Sequence, residues 1–254
     1  DFVHTHAESL IPIIESGVTN TNEVGRSASL LPAFDHIARS TGQGLNLVEL
    51  GPSAGFNLNF DRYGYRYSRD GAELMAVGAP DAPVWLSCEL RGETVPPLSD
   101  LAVPVLSRRG LELNPIDLRD SRARLWLKAL VWPELADRHR RLDFAIASQM
   151  ANPVAIFRGD AMKLLGPCIE TLPPDGAAVV FHSHVTYQFT PEMRAALDAL
   201  LLKFSAARPI HRISIEYHEG GYPIRHGIYA NGAVTQTTLG LTDPHGMWLE
   251  WGVT

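Results

Sequence analysis

"NLVELGPSAGFNLNF", residues 46–60, carries an apolar segment into a turn bracketed by Gly51 and Gly55, then into a helix-like stretch. Read one residue wider, "LNLVEL" (45–50) is nearly continuous in apolar side chains, the pattern of a strand covered on both faces inside a parallel sheet. Glycines directly after such a strand let the backbone approach a ligand, and the same residues also build a plain tight turn. The dinucleotide fingerprint G-x-G-x-x-G is absent, because position 53 is Ser and Gly55 is followed by Phe56, Asn57 and Leu58. No G-x-x-x-x-G-K-[ST] occurs, so neither a nicotinamide cofactor nor nucleoside triphosphate hydrolysis has support.

Elements alternate on both sides of this stretch. Asn20 and Glu23 are spaced as a capping box, and Val24, Ala28, Leu31, Phe34 and Ala38 recur at helical spacing, which predicts a helix over 21–39. Downstream, the helical pattern of 121–150 is broken by Pro133, the expected start of a second helix. Then follow "VAIF", a helix over 161–171, "AAVVFHS", a helix opened by Thr190-Pro191-Glu192, and "HRISIEY". The alternation predicts an α/β fold with a doubly wound, Rossmann-like, mostly parallel sheet. We divide it into an N-terminal helical segment, 1–40, and an α/β domain, 41–254. Residues 63–107 are aromatic and rich in Pro and Gly, and are expected to form an inserted β-rich lobe serving as a lid. In the tail, Asn231-Gly232 lies between strand-like runs as a type I′ hairpin signal, and "MWLEW" offers a last strand. Tyr63, Tyr65 and Tyr67 are expected to pack, and Trp126, Trp132, Trp248 and Trp251 to lie in the core.

With 254 residues, 45% of them hydrophobic, the chain can bury a sizeable core. Its formal charge of -6 gives no basic field for nucleic acid, and a small, weakly charged or cationic partner fits better. Cys88 and Cys168 stand far apart, which argues against a disulfide framework and for a reducing cytoplasm. No stretch approaches the ~18 apolar residues of a membrane span. The chain does not begin with Met, so a preceding segment is expected.

In an open α/β sheet, ligands sit beyond the carboxyl ends of the strands. Four such ends are polar: Glu49 to Gly55, Glu112 to Asn114, Gly159-Asp160-Ala161, and His182 to His184. Their order, a glycine loop, an acid before Asn-Pro, Gly-Asp-Ala before a helix and a polar strand end, resembles the class I S-adenosylmethionine-dependent methyltransferases. That resemblance implies a cofactor site in which Glu49, Gly51, Ser53 and Gly55 surround the methionine part. Glu112 and Asn114 would meet the ribose, and Asp160 and Ala161 the adenine. His182 and His184 would be the catalytic pair at the transfer site for a small molecule, with Asn22, Glu23, Arg26 and Tyr187 as substrate contacts.

The phrases "VELGPSAGFNLNFDRYGYRY", "LNPIDL", "FRGDA", "VVFHSHV" and "DPHGMWLEW" further resemble a bacterial family known as domain of unknown function 2332. Its members imply further helical sequence ahead of this region. Other readings of the same residues stand beside these. Glu49 and Glu112 suit a structural ion pair, Asp160 a helix cap, and Glu23 a cap beside an ion-paired Arg26. His182 and His184, two apart on a strand, would point the same way and resemble a metal pair, although no third ligand is evident. A non-catalytic nucleoside-binding module and a metal-dependent hydrolase are therefore the alternatives to a methyltransferase.

Overall fold

The computed structural model describes residues 2–19, 22–98 and 102–252. In chain order the elements begin with α1 (Phe2–Thr5), α2 (Ala7–Ser16), a 3₁₀ turn at Val24–Arg26, α3 (Ser27–Thr41) and β1 (Leu45–Leu50). A second 3₁₀ stretch at Phe56–Arg62 leads to β2 (Gly64–Arg69), β3 (Ala72–Val77), β4 (Trp85–Arg91) and β5 (Val105–Glu112). Next come α4 (Ser121–Ala129), α5 (Ala136–Ala151), β6 (Ala155–Arg158), α6 (Ala161–Glu170) and β7 (Ala177–Ser183). The chain closes with α7 (Pro191–Phe204), β8 (Ile210–Ile215), β9 (Tyr222–Ala230), β10 (Ala233–Thr242) and β11 (Trp248–Trp251).

All strands join one eleven-stranded sheet in the order β3-β2-β4-β11-β10-β9-β8-β7-β1-β5-β6. β6, β5, β1, β7 and β8 run parallel, and the chain reverses its direction of growth across the sheet between β1 and β7. β9 and β10 are antiparallel to their neighbours, so the sheet is mixed.

Every residue of β1 is buried, because helices cover both of its faces. Leu45 and Leu47 join one core with Phe34 and Ile37 of α3, while Val48 and Leu50 face a second core with Leu165 of α6 and Leu201 of α7. Fully burying one such side chain stabilises by about 1.5–3 kcal/mol. Glu49 shares the face of Leu47 and is the charged residue of a strand otherwise anchored in the cores, an arrangement that requires compensation.

The expected helix over 21–39 appears as the Val24–Arg26 turn followed by α3. Asn20, the expected cap, lies outside the described residues; Glu23 caps the turn by accepting from the Gly25 N–H at 3.1 Å. Thr190 caps α7 with Pro191 in its first turn, as its sequence dictates. Asn231 and Gly232 both take positive φ, 52° and 75°, between β9 and β10, which fits the type I′ turn. α5 starts at Ala136 rather than at Pro133.

The stretch 63–107 departs from the expected lobe. β2, β3 and β4 extend the main sheet, because β4 pairs in parallel with β11, Trp248 opposite Glu89. The boundary at 107 falls inside β5. Tyr63, Tyr65 and Tyr67 are buried and donate their hydroxyls to the carbonyls of Phe56, Phe60 and Ala28, which ties this part to the core. Of the tryptophans expected in the core, Trp132 is 72% exposed, and Trp126 and Trp248 are half-buried. Trp248 instead stacks under the Arg91 guanidinium at 4.1 Å. Both cysteines are buried and free. Among the described residues no helix is long and apolar enough to cross a membrane.

Candidate functional site

A cavity of about 380 Å³ opens beyond the carboxyl ends of β1, β5, β6 and β7, where the sheet reverses its winding. Its walls include Asn22, Arg26, Glu49, Gly51, Glu112 and Asn114, and on the far side Asp160, Ala161, His184 and Tyr187. The polar strand ends thus converge on one space. Glu23, Ser53, Gly55 and His182 are not on its walls.

The glycine loop owes its shape to alternating left-handed residues, with φ of 65° at Gly51, 56° at Ser53 and 83° at Gly55. A Cβ at Gly51 would come within 2.7 Å of Val185 Cγ2, so only glycine lets the loop close against the turn after β7. Ser53 holds a glycine-like conformation at a cost of about 1–3 kcal/mol. Its backbone N–H donates to Glu112 Oε2 at 2.9 Å, and Asn114 N–H donates to Glu112 Oε1 at 3.0 Å. Glu112 therefore clamps the glycine loop to its own strand end, and its carboxylate keeps lone pairs toward the cavity.

Glu49 is 2% exposed, and its Oε2 has no hydrogen-bond partner among the described residues. Burial pushes this carboxyl up to about 8, against a long 3.5 Å bond from Asn57 and the pull of Arg26, with Glu112 adding repulsion. Arg26 reaches the same cavity, held by Pro244 O at 2.9 Å and Ser183 Oγ at 3.4 Å. Asn22 donates to Pro52 O, and its Oδ1 is likewise buried without a partner.

Asp160 caps α6, accepting from the Met162 N–H at 2.9 Å through Oδ1. Asp160→Ala is expected to destabilise the protein by ~1 kcal/mol, whereas Asp160→Asn retains the cap and nearly all of that stability. Equal melting temperatures for both variants and the natural chain would remove the cap from the account.

The two histidines part company. β7 ends at Ser183, and His184 takes a φ of 56°, which turns its ring onto the cavity and against Tyr222 at 4.8 Å. Its Nε2 is buried without a partner, and burial, reinforced by Arg26, lowers its basicity to about 4. His182 stays in the strand on the opposite face of the sheet, fully buried. Its Nδ1 donates to Glu216 Oε1 at 2.6 Å and its Nε2 accepts from Arg212 Nε at 3.0 Å, so neither nitrogen is left for a metal or a substrate. The reading of two histidines pointing the same way is corrected accordingly. Among the described residues no group of three or more His, Cys, Asp or Glu forms a metal-ligand set.

Glu23 is turned away from the cavity. It pairs with Arg138 at 2.6 Å and His245 at 3.5 Å, joining the first 3₁₀ turn to α5 and to the loop before β11. Burial alone would raise its carboxyl, but His245 and Arg138 outweigh that and hold it below the usual range.

Sequence reasoning missed Asn57 and Glu216. Asn57 lines the cavity and carries a detectable signal, a polar residue set among Phe56, Leu58 and Phe60 in a buried stretch. Glu216 follows β8, a fifth strand end, and accepts from the backbone N–H groups of Val185 at 2.9 Å and Thr186 at 3.1 Å. It thereby fixes the turn that carries His184 and Tyr187 to the cavity.

No curated protein matches this chain. A family model described as "Uncharacterized protein conserved in bacteria (DUF2332)" matches residues 1–251, and the chain, with its polar strand ends gathered around one cavity, belongs to that family.

Proposed function

We propose that this chain binds S-adenosylmethionine in the cavity beyond β1, β5, β6 and β7 and transfers its methyl group to a small molecule. The observation that carries the reading is Glu49: a buried carboxyl with an unpartnered oxygen, raised to about 8, on the wall of a cavity at the winding reversal. A ligand that brings a cation there releases the strain. The parallel strand order β6-β5-β1-β7-β8, with its winding reversal between β1 and β7, supports reading the sheet as doubly wound and Rossmann-like, of the class I methyltransferase type.

The donor set fits the cofactor in chemical terms. Glu49 would meet the ammonium end and Arg26 the carboxylate of the methionine part. Glu112, anchored by two amides, would accept from the ribose hydroxyls, and Asp160 with Ala161 would border the adenine. When bound, the cofactor supplies a methyl group activated on a sulfonium. The chain's own task is alignment and exclusion of water, effects worth up to ~7–11 kcal/mol in favourable systems. His184, kept neutral at physiological pH, presents Nε2 as an acceptor that orients the hydroxyl or amine of the incoming molecule.

Titration calorimetry with S-adenosylmethionine tests this reading and its pH dependence together. With Glu49 neutral at pH 7 in the free protein, cation binding expels its proton. Affinity then falls as pH drops below about 8, by up to ~10-fold per unit. Glu49→Gln abolishes both the pH dependence and the proton release. For the free protein the sign is opposite. A carboxyl raised from 4.5 to about 8 contributes stability at low pH that is lost as pH rises through 8, and Glu49→Gln removes this loss. No heat of binding from the natural chain at any pH would sink the proposal.

The low basicity of His184 also favours a second reading, in which the cavity holds the cofactor or a related nucleoside without turnover. Release of S-adenosylhomocysteine in the presence of small-molecule acceptors separates the two.

A further inference from the structure

A second cavity of about 440 Å³ lies on the opposite face of the sheet, between α7 and the open ends of β8 and β9. Deeper along the same face, Ala178, Val180 and Ile210 pack under Leu197 and Leu201 of α7, as a covered sheet requires. Toward the cavity that pattern stops. Arg212 and Ser214 of β8 stand opposite Gly227 and Arg225 of β9, and Gln236 of β10 continues the row beyond Gly227. Gly227 presents bare backbone to the floor, and a Cβ there would come within 3.2 Å of Tyr229 Cε2.

The charges there are unevenly satisfied. Glu216 accepts from His182 and three backbone N–H groups, and Asp198 accepts through Oδ1 from Arg212 at 2.7 Å and from the Tyr229 hydroxyl. Among the described residues Arg194 donates to the carbonyls of Thr186 at 3.1 Å and Phe189 at 2.8 Å and pairs with no carboxylate. Arg225, half-buried, has no hydrogen-bond or ion-pair partner among the described residues. A chain of formal charge -6 thus gathers three guanidinium groups, from three elements, around one pocket that holds two carboxylates, both bonded to neighbouring donors.

We infer that this second cavity is a binding site for an oxyanion group, a phosphate or a carboxylate, on a small molecule, with Arg225 as its principal anchor and Ser214 beside it. Guanidinium groups match both anions through paired N–H donors.

Inorganic phosphate and malonate are the probes, followed by phosphorus NMR line broadening and by calorimetry at low ionic strength, which limits screening. Arg225→Ala is expected to weaken binding at least ~10-fold, with partial rescue by Arg225→Lys. Gln236→Glu, on an exposed strand position, weakens it by repulsion without disturbing the core. Arg122→Ala, an exposed arginine on α4, leaves binding unchanged. Preference for phosphate or for malonate identifies which oxyanion the site takes. Absence of binding by both up to ~10 mM overturns the inference, as does binding that survives Arg225→Ala or falls equally in Arg122→Ala. None of these readouts uses S-adenosylmethionine, so their failure is distinct from failure of the cofactor reading.

Discussion

On the proposed cofactor reading, Glu112→Ala is expected to weaken S-adenosylmethionine binding by at least ~100-fold, since the two charge-assisted hydrogen bonds proposed to the ribose, at about 1.5–3 kcal/mol each, would disappear together. The loss reaches beyond the ligand. Ser53 N–H and Asn114 N–H each lose this acceptor, and at the buried Ser53 amide the loss costs about 1–3 kcal/mol. The glycine loop, already bent through left-handed Ser53, would then relax away from the cavity. Glu112→Gln separates these contributions, because the amide retains one acceptor for one N–H and leaves the other facing a donor. Calorimetry and thermal melting on both variants check the prediction. Affinity within ~5-fold of the natural chain, in a variant that melts normally, would remove Glu112 from the site.

Much of this geometry was legible in the chain because it depends on local rules. A continuous apolar run bounded by glycines specifies a strand covered on both faces, and β1 is buried throughout. The polar strand ends converge because parallel strands all present their carboxyl ends to the same edge, so reading the ends in order located seven of the expected residues around one cavity, Glu49, Gly51, Glu112, Asn114, Asp160, Ala161 and His184. Failures arose where long-range pairing or a chain reversal overrode the local rule. Nothing near Glu89 announces Trp248 as its partner, and without that pairing residues 63–107 look like a separate lobe instead of an extension of the sheet. The two-residue period holds only while a strand continues. At Ser183 the strand stops, and a single positive φ at His184 sends it to the cavity while His182 remains on the far face. Glu216 escaped because it follows a strand that ends in an acid without the glycine or Asn-Pro marks of the others, yet its contacts hold the turn on which His184 depends.

The same residue carries the largest expected effect on stability. Burial by itself would raise the Glu216 carboxyl, but its bond to His182 and the N–H groups of Val185 and Thr186 outweigh this and hold it at about 2. Glu216→Ala leaves the His182 Nδ1–H and the backbone N–H groups of Val185, Thr186 and Tyr187 without this acceptor. Each donor left without its charged acceptor costs about 1–3 kcal/mol, so the buried ones among them together cost about 3–5 kcal/mol, a fall in melting temperature of roughly 10 °C for a chain of this length. The pH dependence has a definite sign. A carboxyl lowered from 4.5 to about 2 contributes stability that is fully present above 4.5 and is lost as pH falls through 2. The melting temperatures of the natural chain and of Glu216→Ala therefore differ at neutral pH and converge in acid. Glu216→Gln, which keeps an acceptor without the charge, lies between them at neutral pH. Differential scanning calorimetry across this range decides the matter: a gap that is constant with pH, or smaller than ~2 °C at neutral pH, would show that the turn bearing His184 is held by packing alone.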